Sequence, residues 1–314
     1  MKNYARAATV CLSLFMLVLT ASIFAQSKSS KDDSFNKIAK LTQSKKDEDR
    51  DKAYQMSKDF LAQYGKEDDE KVKKVKGFVD NYRNAVFNKK LEEAKTGEAF
   101  ALGREILAQE PENAYIMMNL AYGGYEALQK NKDKSFAADA VRYAKQTLSL
   151  FEAGKLPKTF QPFKDQAEAT AFLYYVIGNF SLDTDSKEAA RNFYKAVGYD
   201  SKLKSYSFPY FAIADYYEKE YAKEATALKV KYDAKTIGDA ELKTAQERLD
   251  KLVGNMLDAY ARAIKFGEAE KNPNLPTWKQ RFTDVYKFFK KSDAGINEYL
   301  TNQPNTVLSD PSAF

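Results

Sequence analysis

The sequence predicts an all-α fold, an α-solenoid of helix-turn-helix hairpins with one long inserted helical hairpin. Three observations carry that expectation. Helix breakers are scarce, with 13 Gly and 8 Pro in 314 residues, and 44% hydrophobic residues accompany 30% charged ones; that balance suits long amphipathic helices better than strands. Apolar residues recur at steps of three and four through most of the chain. The stretch 171–217 reads as two hairpins cut to one pattern: Tyr174, Ile177 and Gly178 open a unit, Ala189, Phe193 and Ala196 close it, and Tyr210, Ile213, Ala214 and Tyr217 open the next.

The first segment, 1–25, has Lys2 and Arg6, an apolar run from Ala7 to Leu19 and a small residue, Ala25, ahead of a polar stretch. That is the order of a secretory signal peptide. An uncleaved membrane anchor is the competing reading, because the run approaches the short end of a spanning helix. The only cysteine, Cys11, sits inside this run. Removal of the leader would leave a chain without disulfides or thiolate ligands.

Segment 26–51 is rich in Lys, Ser and Asp and reads as a mostly disordered charged lead, although Phe35, Ile38 and Leu41 keep the spacing of a short helix. The helical repeat domain is expected over 52–301. Its first helix, 51–64, shows Ala53, Met56, Phe60 and Leu61 on one face and stops at Gly65. The next, 71–93, carries Val72, Val75, Val79, Tyr82 and Val86. Helices over 97–109 and 112–128 flank Pro111, which ends one hairpin and starts another. A charged turn at 130–135 leads into 136–151, with Ala140, Ala144, Thr147 and Leu148 on one face, and 154–166 is a longer connection with Pro157 and Pro162.

Beyond Tyr217 the apolar steps continue, and a turn around Gly238 sends a second long helix back through Leu242, Leu249, Leu252 and Met256. Residues 218–253 therefore read as an extended helical hairpin with Tyr221, Leu228, Leu242 and Leu249 as its seam. Thr277 is the expected cap of a later helix with Trp278, Phe282, Val285 and Phe289. Pro304 and Pro311 leave 302–314 as an irregular tail.

The repeated spacing resembles the tetratricopeptide repeat (TPR) family in degenerate form, over about 80–301. Its first-helix pattern of aromatic, aliphatic and small residue stands here as Tyr174, Ile177 and Gly178, and its second-helix pattern as Ala189, Phe193 and Ala196. A second copy starts at Tyr210, Ile213, Ala214 and Tyr217 and resumes at Met256, Tyr260 and Ala263. Upstream, Met117, Leu120 and Ala121 pair with Ala140, Ala144 and Thr147, and Ala99, Ile106 and Pro111 resemble the end of an earlier unit. There are departures: Ser181 replaces the expected Tyr, Gly103 replaces an aromatic, and Arg281 with Phe282 breaks the match begun by Trp278. The resemblance implies a stack of hairpins in which each unit covers its neighbour, with a concave groove for peptide partners.

In such a stack the groove is lined by a second stripe on the first helices. Here that stripe holds Tyr115, Met118, Tyr122 and Tyr125 in one unit, Phe172, Tyr175 and Asn179 in the next, and Phe208, Phe211 and Asp215 in the one after. These are the candidate partner-binding residues, an aromatic trough suited to an extended peptide, an apolar helix or a glycan. The family's charged clamp for a C-terminal carboxylate is not expected, because Met118, Tyr175 and Phe211 stand where Lys, Arg or Asn would be needed. The rival reading is that the connection 154–166 or the lead folds into the trough and the rings are core. For the long hairpin, packing on itself competes with service as a partner arm.

No histidine occurs in the chain, which removes the commonest general base and zinc ligand. No glycine-rich phosphate loop is present. The expectation is therefore no enzyme, no cofactor and no metal. The formal charge of +6 falls by two without Lys2 and Arg6, too dilute for a nucleic-acid-binding face. Together these readings point to an exported scaffold or binding protein of the bacterial cell envelope, periplasmic or secreted, that holds a protein or peptide segment in its groove and meets a membrane only if the leader is retained. The alternatives are a carbohydrate-binding accessory protein and a purely structural repeat protein with a self-filled groove.

Overall fold

The structure, a computed structural model, describes residues 30–314. The leader expected over 1–25 lies outside them. Every regular element among the described residues is helical: α1 (30–42), α2 (Asp47–Tyr64), α3 (Glu70–Glu92), α4 (Thr96–Gln109), α5 (Ala114–Asn131), α6 (Ala137–Glu152), α7 (Gln166–Ser181), α8 (Ser186–Gly198), α9 (Ser207–Asp233), α10 (Asp239–Glu270), α11 (Leu275–Lys290) and α12 (Ile296–Asn302), with short 3-10 turns at Lys202–Ser205, Gln303–Asn305 and Pro311–Ala313. No described helix is long and apolar enough to cross a membrane. The chain divides into two compact units, one up to Lys95 and one from Thr96.

In the first unit, Ile38, Phe60, Tyr64, Val72 and Val75 form a small core, with Phe35, Met56 and Leu61 packed against it. This corrects the expectation of a mostly disordered lead. The spacing of Phe35 and Ile38 is used by α1, and Lys31 fixes its start by an ion pair with Glu67 at 2.7 Å and another with Asp69. Apolar burial plus paired charges offsets the ordering entropy that a polar composition alone could not. On α3 the buried register is Val72, Val75, Val79, Tyr82, Arg83 and Phe87. Val86 is only half-buried, and Phe87 takes the place expected for it.

In the second unit successive helices from α4 to α11 pack each on the next, and α7 also touches α5. Side-chain caps fix several starts. Asn113, Asp165 and Asp185 accept hydrogen bonds from the backbone N–H groups of Ile116, Glu168 and Glu188 at 3.1, 3.0 and 2.9 Å, satisfying donors that a helix start leaves without partners. Small residues set the closest approaches. A Cβ on Gly178 would meet the Phe193 ring at 2.9 Å, one on Gly103 the Leu120 side chain at 2.9 Å, and one on Gly124 the Ala140 Cβ at 2.7 Å.

Helices α9 and α10 form the long hairpin. With 27 and 32 residues they run roughly 40 and 48 Å at the usual rise. The buried residues of α9 end at Tyr217 and those of α10 begin at Leu252, so the distal half is a two-helix arm in which Tyr221, Leu228, Leu242 and Leu249 are half-buried. Arg248 Nε donates to both carboxylate oxygens of Glu224, at 2.8 and 2.7 Å, and Lys231 pairs with Glu241 at 2.7 Å. Helix α11 begins at Leu275 with Pro276 in its first turn and no side-chain cap, which corrects the expected cap at Thr277. Proline fits a first turn because the N–H it lacks has no helical partner there.

Candidate binding site

Helices α5, α7 and α9 carry the stripe of candidate residues, and their surroundings divide it. Helix α5 is packed by α4, α6 and α7, so it buries residues on several sides and Met118 is fully enclosed. Tyr175 on α7 is enclosed as well, at 3% exposure, between Tyr125, Phe193 and Tyr206 at ring distances of 5.5, 5.7 and 6.0 Å. Neither side chain offers a partner any surface. Both belong to the core, which narrows the stripe read from the sequence.

The other candidates are half-buried. Tyr122 and Tyr125 both meet Phe172, at 5.7 and 5.3 Å, and Phe172 meets Tyr175 at 6.2 Å. The Tyr125 and Tyr175 hydroxyls are 3.3 Å apart. Phe208 joins through Phe193, edge-on at 5.7 Å. Phe211 lies in a different group, stacked on Trp278 at 4.9 Å and edge-on to Tyr260 at 6.3 Å. Asp215 pairs with Lys219 at 2.7 Å. Asn179 spends its amide on the Tyr175 carbonyl at 2.9 Å, and the Tyr115 carbonyl accepts from Asn119 at 2.9 Å.

Two further rings complete the strip and were not among the sequence candidates. Phe163, from the connection between α6 and α7, touches Tyr122 at 5.9 Å and Phe172 at 5.0 Å. The connection is held there by the Asn119 amide, which also donates to the Gln161 carbonyl at 3.2 Å. Tyr206, just before α9, remains 38% exposed while contacting Tyr175. Neither lies in a periodic segment, so no helical spacing could have pointed to them.

Burial pushes the phenols of Tyr122, Tyr125 and Tyr175 above their ordinary value, so these three rings keep their protons beyond the range in which an exposed phenol ionises. Its neighbouring charges are paired, as Glu126 is with Lys130 at 2.6 Å. Such a surface accepts apolar and aromatic groups by burial and edge-to-face contact. Among the described residues no group of His, Cys, Asp or Glu is arranged to hold a metal ion. Compared with protein-family models, curated proteins and solved structures, the chain matches none of them.

Proposed function

We propose that the chain is a non-enzymatic scaffold of the bacterial cell envelope, whose degenerate TPR-like hairpins stack as an α-solenoid and hold a partner protein segment against the aromatic strip. One observation carries this reading. Tyr122, Tyr125, Phe172 and Tyr206, contributed by α5, α7 and the lead into α9, are joined ring to ring directly or through Tyr175, yet none is fully buried. Half-exposed rings in a continuous row offer large contact area at little entropic cost. The hairpin reading draws support from the glycine approach at Gly178, where the resembled pattern calls for a small residue and tight helix contact. Export rests on the leader read in the sequence.

A second reading, a structural protein whose groove its own chain fills, draws on Phe163, which covers part of Tyr122 and Phe172. The deciding experiment is a crosslinked pull-down from native envelopes with wild type and with the Tyr122→Ala, Tyr206→Ala double variant, beside a thermal melt of each. Loss of a specific protein partner by a variant that still melts cooperatively supports the scaffold reading. An unchanged partner list, or retention only of soluble glycans in a parallel panel, overturns it.

A further inference from the structure

The tail expected to be merely irregular has a built seat. Arg262 on α10 is 7% exposed; its guanidinium is oriented by Asp258 at 2.9 Å and donates to the carbonyls of Pro304 at 3.1 Å, Gln303 at 3.4 Å and Thr306 at 2.8 Å. Farther along, the Tyr217 hydroxyl on α9 donates to the Ser309 carbonyl at 3.3 Å. The last residue, Phe314, sets its ring edge-on to Tyr217 at 5.8 Å and beneath the Arg248 guanidinium at 5.2 Å.

These contacts share one chemistry. The body supplies donors chiefly to backbone carbonyls of the tail, and the tail's side chains add the Thr306 hydroxyl, which accepts from Arg262 at 3.2 Å, and the Phe314 ring. The tail's buried residues are Pro304 and Pro311, which bring no N–H that would need a partner in the seat. Leu308 and Phe314 pack partly buried against the core, whereas Val307 stays wet at 89% exposure. An arginine fork and a tyrosine hydroxyl aimed at carbonyls, with an aromatic and cationic rest for the Phe314 ring, form a peptide seat filled in cis.

We propose that this strip of α9 and α10 is an exchangeable docking site for a partner peptide of the tail's chemistry, an extended proline-containing segment with an aromatic residue three places after a proline. The native tail is its resident competitor. A tethered tail acts at an effective concentration near the millimolar range, so a free peptide binds the intact protein weakly and binds well once the Phe314 anchor is lost. This site is separate from the aromatic strip and does not rest on it.

The test uses the full chain and a labelled synthetic peptide with the sequence of 303–314, followed by fluorescence anisotropy. Phe314→Asp should bind the peptide roughly tenfold or more tighter than wild type, and adding Arg262→Lys, which keeps the charge beside Asp258 but loses the fork, should abolish that binding. No saturable binding by Phe314→Asp, or binding that survives Arg262→Lys, overturns the proposal. A doubled mass that peptide does not dissociate also overturns it, because the occupant is then a second copy. If Phe314→Asp does not fold, hydrogen exchange on wild type decides. Amides of 305–314 should exchange far faster than those of α10, and exchange of both only by global unfolding makes the tail a fixed part of the fold.

Discussion

The hydroxyls of Tyr125 on α5 and Tyr175 on α7 lie 3.3 Å apart, and this contact separates two kinds of residue that share one stripe in the sequence. Tyr175 is the buried end and Tyr125 the half-exposed end. Tyr175→Ala should cost about 3–5 kcal/mol, as for other large aromatic deletions in a core. Tyr125→Phe should cost about 1 kcal/mol, the net worth of one hydrogen bond. Urea unfolding followed by circular dichroism checks both. Equal small losses would mean that Tyr175 is not a core ring.

The division could not be read from spacing alone. A stripe half a turn from the packing face becomes groove only if one side of the helix stays uncovered, and α5 is covered by α4, α6 and α7 together. Periodicity reports that a face is apolar, whereas its neighbours decide whether it is open. The same limit explains Phe87, which is fully buried where Val86 was expected, and the aperiodic Phe163, whose place depends on Asn119 holding its loop. The legible parts were those governed locally: the extents of most helices, the turn at Gly238 that divides α9 from α10, and Gly178 as the small residue that lets α7 and α8 close. The C-terminal seat was not legible, because Arg262 meets its acceptors 41 to 44 residues away.

Glycines supply a paired prediction with opposite signs. A Cβ at Gly178 would lie 2.9 Å from ring atoms of Phe193, a residue with no exposed surface and no room to retreat. Gly178→Ala should therefore destabilise by about 1–3 kcal/mol through overpacking. Gly254, inside α10, has nothing within 4 Å of that position. There the substitution removes only backbone freedom, and Gly254→Ala should stabilise by about 0.4–1 kcal/mol. Melting curves of the two variants should move in opposite directions, and a shift of the same sign would contradict the close approach of α7 and α8.

Helix α9 is capped by a residue far along the chain. Glu270, near the end of α10, accepts a hydrogen bond from the Ser207 backbone N–H at 2.7 Å and another from its hydroxyl, and Asn272 donates to that hydroxyl at 3.2 Å. A carboxylate at a helix start satisfies free N–H groups and favours the positive end of the helix dipole. Glu270→Ala should cost about 1–2 kcal/mol, with faster hydrogen exchange in the first turn of α9. Slow exchange there in the variant would show that Glu270 is not the cap.

The buried tyrosines give the protein an alkaline limit. Burial pushes Tyr210 and Tyr216 up to about 12, and burial with a bond to Asp51 does the same for Tyr82. A phenol whose folded value is raised above its unfolded value keeps its proton in the folded state. Its stabilisation is complete below the unfolded value near 10 and is lost as pH rises toward 12. Each unit of difference corresponds to about 1.4 kcal/mol, so stability should fall steeply between pH 10 and 12. Tyr216 adds a sharper check, because its buried hydroxyl finds no hydrogen-bond partner. Removing a buried hydroxyl without a partner leaves nothing else unsatisfied, so Tyr216→Phe should be neutral or stabilising at pH 7 and should flatten the alkaline loss. Destabilisation of the variant at neutral pH would mean that the hydroxyl does hold a partner in solution.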